Sequence, residues 1–207
     1  VFTIGGSVVP AVNQLSDLGI LRSSTQSYEE HINCTIRKAT RAACLIWRAF
    51  SSRKTNFLLQ LFKVYVRPIL EYASTVWNPS TAGLVRDLEK VQRRFTKRLR
   101  CIGHLTYENR LTRLKVESLE ARRLHADLLF VYKAMNNMIG VAPASIGFSV
   151  SQAPTRGAGV NLVAHRAINR VTSQCFNCRV TKYWNQLPLN VKTAKSVGVF
   201  KRRVAVI

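Results

Sequence analysis

Residues 82–100 read AGLVRDLEKVQRRFTKRLR. Leu84, Leu88, Val91, Phe95 and Leu99 recur every three or four positions, the period at which side chains share one face of an α-helix. The opposite face carries Arg86, Lys90, Arg93, Arg94, Lys97, Arg98 and Arg100, with Asp87 and Glu89 as the only acids. Seven cations less two acids leave +5 over fifteen residues. The spacing therefore predicts an amphipathic helix from about Ala82 to Arg100, with an apolar stripe for a core and a basic face for solvent or a polyanion.

Helical spacing continues on both sides. Ile32, Ile36, Ala39, Ala43, Ile46, Trp47 and Phe50 define a helix over roughly Tyr28–Phe50, with Glu29 and Glu30 in its first turn, where the helix dipole favours acids. A second helix runs from about Thr55 to Ala73. It is apolar nearly all round, which predicts burial, and Pro68 should kink or split it. Trp77-Asn78-Pro79 ends that unit. A short helix is expected over Tyr107–Leu114, and a longer one from about Ser118 with Leu124, Leu128, Val131 and Met135 on one face.

The N-terminus reads differently. Val1–Ile4 and Ser7–Val9 flank Gly5-Gly6, a hairpin signal, because glycine supplies the positive φ of a tight primed turn. Asp17-Leu18-Gly19-Ile20 reads as a short strand or turn. Gly140–Gly159 is rich in Gly, Ala, Pro and Ser and reads as a linker. The tail beyond it holds a few short elements around Tyr183–Pro188. The expected fold is mainly α: a hairpin segment over 1–24, a helical bundle over 25–139, a linker over 140–159 and a loop-rich basic segment over 160–207.

The chain has 207 residues, 47% of them apolar, enough for a core. With 32 Lys and Arg against 10 Asp and Glu, the net charge is +22. Beyond Asp127 there are eleven Lys or Arg and no acid. Such a balance disfavours an enzyme for a small anionic metabolite and favours a polyanionic partner, nucleic acid before anionic membrane. No stretch of about 18 uninterrupted apolar residues predicts a membrane span. The first residue is Val1 and the first methionine Met135, so the chain reads as a piece of something longer. Five cysteines with no signal peptide predict reduced thiols and an intracellular setting, nucleus or cytoplasm, rather than secretion.

Few residues carry chemistry. Cys175 and Cys178 have metal-ligand spacing, but a structural zinc needs four ligands and no second pair is present, so two ordinary thiols are the simpler reading. His31, His104, His125 and His165 are scattered singly and read as packing or surface histidines. Trp47, Trp77, Trp184 and the tyrosines could stack on bases, although their spacing makes most of them core. Two-metal phosphoryl transfer needs converging carboxylates, and Asp17, Asp87 and Asp127 are far apart in sequence. No catalytic residue, metal ligand or resident cofactor is expected in this chain, nor a small-molecule substrate.

An ordered set of short motifs resembles the reverse transcriptases of non-LTR retrotransposons. It runs through Asp17–Ile20, His31-Ile32-Asn33, Val66–Ser74, Val76-Trp77 and Leu88–Arg94. It continues with Tyr107-Glu108-x-Arg110-Leu111, Ser118-Leu119-Glu120-x-Arg122-Arg123-Leu124 and Tyr132-Lys133. Phe176-x-x-Arg179, Trp184-Asn185-x-Leu187-Pro188 and Phe200-Lys201 look like the family's C-terminal signature. The set spans roughly Phe2 to Arg203; Cys175 and Cys178 lie outside it. The resemblance implies that residues 1–24 are the end of a palm and that 25–139 are a thumb and post-thumb segment gripping a template–primer duplex of RNA and DNA. It also implies that the catalytic aspartates, with their Mg²⁺, would precede Val1, so that this chain alone would not polymerise. The alternative reading is a non-enzymatic nucleic-acid-binding helical module, a relic or co-opted piece of such an element.

Overall fold

A computed structural model describes residues 2–25, 27–79, 81–151, 160–164 and 175–206. His165 and residues 152–159 of the expected linker lie outside the described residues. The chain is mainly helical after an N-terminal antiparallel hairpin, and it divides into two compact units, Val1–Leu119 and Glu120–Ile207.

The first unit opens with two hairpins. β1 (Phe2–Ile4) pairs with β2 (Ser7–Val9), and β3 (Gln14–Asp17) with β4 (Ile20–Ser23). In the second hairpin the expected Asp17–Ile20 element is the turn. Leu18 (φ 46°) and Gly19 (φ 81°) both take the left-handed region that a two-residue primed turn demands. Leu18 tolerates this conformation although it is not glycine, and its carbonyl accepts a 3.0 Å hydrogen bond from Tyr72 Oη.

The helices follow the apolar periodicity. α1 (Glu29–Ala49) buries Ile32, Ala39, Ala43 and Ile46. α2 (Thr55–Leu61) runs through a π turn (Phe62–Val66) into α3 (Arg67–Glu71). The disruption expected at Pro68 takes that form: a proline ring can neither donate to the preceding turn nor fit under its carbonyl, and a wider turn absorbs both defects. The expectation that this segment is buried all round needs correcting. Leu58, Phe62, Val66 and Leu70 are buried, whereas Phe57, Val64 and Tyr65 face outward. α4 (Ser74–Trp77) buries Trp77 completely, and its indole donates to Tyr72 O at 2.7 Å.

α5 (Ala82–Lys97) packs Leu88, Val91 and Phe95 into the core of the unit, with Phe95 between Phe62 and Trp47 at ring separations of 4.7 and 5.2 Å. The helix ends at Lys97, three residues before the expected end. In the succeeding turn Gly103 passes so close that a Cβ there would lie 2.4 Å from Lys97 O, so only glycine fits. α6 (Tyr107–Leu114) coincides with the predicted short helix.

A buried polar clasp fixes α5 to α6 and to the backbone at Glu117 and Leu119. The Glu89 carboxylate accepts from Tyr107 Oη–H and, at 3.1 Å, from the Leu119 amide. Gln92 Nε2 donates to Tyr107 Oη at 3.0 Å and to Glu117 O at 2.9 Å. Arg110, also buried, donates to Leu105 O, Arg93 O and Thr96 Oγ1. Burial, then the hydrogen bond to Glu89 and that residue's charge, push the Tyr107 phenol far above the ordinary tyrosine range, so it stays a donor.

The second unit is built on α7 (Leu119–Met135), a 3₁₀ turn (Pro143–Ile146), α8 (Phe176–Gln186), α9 (Leu189–Lys192) and α10 (Val197–Val204). Its core joins Leu128, Val131, Tyr132, Phe148, Trp184 and Phe200, with Tyr132 stacked on Phe200 at 4.3 Å. The division therefore falls at residue 119/120, inside the segment read as 25–139, because α7 belongs to the second core. Phe148, from the segment read as a linker, is buried there, and Val150 bridges to Leu162. The segment read as loop-rich is largely helical among the described residues. Its Trp184-Asn185 pair clasps backbone: the indole donates to Val160 O at 2.8 Å, and the Asn185 carboxamide both accepts from Leu162 N–H and donates to Leu162 O. Lys192 Nζ, its pKa lowered by burial, donates to Asn161 Oδ1 at 2.7 Å and Asn185 O at 3.0 Å.

The clasps set the expected stability of variants. Glu89→Ala leaves two buried donors unsatisfied and should lower unfolding free energy by about 2–4 kcal/mol in urea titration, with Glu89→Gln retaining much of it. Asn185→Leu should cost about 2–4 kcal/mol, and Asn185→Ala a similar amount, since both strand the Leu162 amide and carbonyl. His31 Nδ1 accepts from Leu21 N–H at 3.2 Å, and burial, then the charge of Lys38, lowers its pKa below 6.5. The folded state thus favours neutral imidazole. The stability this contributes is fully present above about pH 6.5 and is lost as pH falls through the lowered value. The midpoint of thermal unfolding should fall on going from pH 7.5 to 5.5, and His31→Gln should flatten that fall.

Candidate nucleic-acid interface

All seven predicted cations, Arg86, Lys90, Arg93, Arg94, Lys97, Arg98 and Arg100, are exposed. Five project from α5; Arg98 caps its C-terminus and Arg100 lies in the next turn. The two acids of the stretch take different positions. Glu89 is turned inward into the clasp, whereas Asp87 stays outside, paired with Lys90 at 2.6 Å. That contact holds the Asp87 carboxyl below the usual carboxylate range. The outward surface therefore presents seven cations and one acid. The rigid side of the helix is its inner face, so the cations stand on an element whose position the core and the Glu89 clasp determine.

Two of the cations lie on aromatic rings. The Arg93 guanidinium is 4.5 Å from the Tyr107 ring centroid, and that of Arg98 is 4.8 Å from Trp47. Stacking of this kind restricts a long side chain without neutralising it. Arg53 approaches the Trp47 ring at 5.6 Å and is held by Phe50 O at 2.6 Å. Among the three tryptophans, Trp77 and Trp184 are completely buried with their indole N–H groups satisfied, and only Trp47 is half-buried.

Trp47 lies in a cleft of about 380 Å³ between α1 and α5. Thr40, Ala43, Cys44 and Trp47 line one side, and Val91, Arg94, Phe95, Lys97 and Arg98 the other. Reading helices one at a time misses this cleft. The signal is the set of small side chains, Thr40 and, one turn later, Ala43 and Cys44, on the α1 face that continues to Trp47.

Motif residues that looked functional in sequence are mostly structural. Tyr107, Arg110, Trp184 and Asn185 spend their polar atoms inside the fold. Arg179 donates to the buried Asp127 carboxylate at 2.9 and 3.2 Å, and Phe176 packs against Phe130 and Phe148. Cys175 is exposed at the start of α8 and Cys178 is half-buried. Among the described residues, no group of three or more His, Cys, Asp or Glu could hold a metal ion, and no helix is long and apolar enough to cross a membrane.

No family model matches the chain, and no solved structure matches it. An uncharacterized protein of Caenorhabditis elegans is 26% identical over 115 residues, 54% of this chain and 58% of that protein. The chain thus spans under two thirds of the length of that relative.

Proposed function

We propose that this chain is the nucleic-acid-gripping portion of a reverse transcriptase of the non-LTR retrotransposon type. In this reading it binds template–primer duplex and element RNA from within the cell, nucleus or cytoplasm, and adds no nucleotides by itself. The observation that carries the proposal is the surface of α5 and the turn after it: seven exposed cations and one acid, five of the cations on a helix whose other face is fixed in a core. Dispersed cations on a rigid element suit a phosphate backbone, which is gripped by charge and shape rather than by sequence. The ordered motif set supports the family assignment, and the +22 charge supports the polyanion. Mg²⁺ would be needed only by a palm preceding this segment.

A second reading, a binding module that works without a polymerase, is favoured by one observation: each unit holds its own core of buried side chains. The reading frame upstream of the Val1 codon separates the two. A palm with an adjacent Asp pair supports the polymerase, and its absence supports the module.

The expected outcome concerns cations that lie on no ring. Replacing Arg86, Arg94, Lys97 and Arg100 together by Gln should weaken binding to an RNA–DNA duplex. It should also flatten the plot of log affinity against log salt by about 0.9 for each phosphate left unneutralised. Thermal unfolding should be unchanged, because these side chains are exposed. An unaltered salt slope would show that the basic face only solubilises the helix. Primer extension above background by the isolated chain would overturn the absence of a catalytic centre.

A further inference from the structure

We propose that the cleft between α1 and α5 takes one unstacked base of a single-stranded nucleic acid, with the adjoining phosphates on Arg94, Lys97 and Arg98. The proposal rests on the nucleic-acid reading above and deepens it, because it assigns a strand without a partner to a place the duplex cannot fill.

The cleft joins two chemistries that seldom meet by chance. Its floor is apolar and aromatic, made by Ala43, Trp47, Val91 and Phe95, and its rim carries three cations and no acid. A volume of about 380 Å³ lies within the range of small-ligand sites. An apolar ligand would leave the cations idle, and a bare phosphate would leave the floor empty. A nucleotide satisfies both, with the ring on the floor and the phosphate at the rim. A duplex cannot, since its bases are stacked on one another and only its backbone can reach the rim.

Trp47 supplies the geometry. It is the tryptophan left half-buried, and a planar guanidinium already lies 4.8 Å from its ring centroid. A flat group therefore fits over the indole. A base entering there takes the place of the Arg98 guanidinium, which then turns to the phosphate. Stacking on an aromatic ring is sequence-tolerant, because every base presents a π face, so the site should accept any base with modest preference.

The test titrates the full chain with an octathymidylate, an abasic phosphodiester of the same length and a blunt RNA–DNA duplex, following tryptophan emission and affinity. Octathymidylate should quench emission through Trp47, and the abasic strand should bind without quenching. Cys44→Leu changes an exposed side chain and fills the cleft with bulk that cannot stack. It should weaken octathymidylate binding by about tenfold or more while duplex affinity stays within about twofold. Trp47→Phe keeps an aromatic floor and should lose the quench but retain much of the affinity, and far-UV dichroism should report both variants as folded.

Equal affinity for the abasic strand and octathymidylate would overturn the proposal, as would unchanged octathymidylate binding by folded Cys44→Leu. Tighter binding of a phenylalanine-containing oligoglutamate peptide, abolished by Cys44→Leu, would overturn it in favour of a protein partner. Loss of octathymidylate binding with duplex binding intact in Cys44→Leu supports the cleft. Wild-type chain that binds octathymidylate but not duplex removes the duplex grip and leaves the cleft standing, so the two failures are distinguishable.

Discussion

The first unit depends on one buried carboxylate. Glu89 lies on a helix whose outward surface is strongly basic, yet it faces inward, where it receives the Tyr107 hydroxyl and the Leu119 amide. A charged group nearly removed from water is stable only when it is hydrogen-bonded, and both donors meet Glu89 Oε1. The donors come from α6 and from the Leu119 amide, the last residue of the unit, so the carboxylate ties α5 to α6 and to the backbone that follows it. Gln92, one turn further along α5, reinforces the same point by bonding both Tyr107 and the Glu117 carbonyl. Apolar packing of Leu88, Val91 and Phe95 sets the depth of α5, but such packing is non-directional. The clasp sets its rotation, and rotation decides which side chains reach solvent.

The basic face is a consequence of that rotation. Turning Glu89 inward removes one of only two acids from the outer surface of α5. The other, Asp87, is occupied by Lys90. The basic face and the core are thus two sides of one constraint: the residue that makes the helix hold is the residue whose absence outside leaves the surface so positive. The second unit uses the same device with different groups. Asn185 satisfies both the amide and the carbonyl of Leu162, and the Trp184 indole takes the carbonyl of Val160, so a single dipeptide of α8 fastens an irregular segment to the core.

Legibility in sequence followed periodicity. The helices at Glu29–Ala49, Ala82–Lys97 and Tyr107–Leu114 were readable within a few residues, because each has one apolar face and a clear end. The segment from Thr55 to Glu71 misled, because Phe57, Val64 and Tyr65 are apolar yet exposed, and hydropathy alone does not say which of two apolar faces meets the core. The division into units at 119/120 leaves no mark in composition, because composition marks where a chain is small and polar, not where one core stops. Phe148 belongs to a core although its neighbours are Gly, Pro, Ser and Ala. At the candidate site the seven cations were legible one helix at a time, and the cleft was not, since it exists only between α1 and α5. The dispersed motifs carried little chemistry for a physical reason as well: Tyr107, Arg110, Trp184 and Asn185 are spaced by the needs of clasps within the fold.

The scarcity of acids explains why the clasps take the form they do. Ten acids cannot neutralise thirty-two cations, so ion pairing cannot organise this surface. The fold turns to aromatic faces and carbonyl oxygens instead. Arg93 lies on Tyr107, Arg98 and Arg53 on Trp47, and Arg53 also bonds the carbonyl of Phe50. Each contact orients a guanidinium and leaves its charge intact. A carboxylate in the same place would orient the cation equally well but would cancel the field that an approaching polyanion feels. The cost is mutual repulsion among like charges along α5, which salt screens and which a phosphate backbone would relieve. A surface organised by rings rather than by acids is therefore already ordered and still uncompensated, and that combination suits an element whose counter-charge arrives from outside the chain.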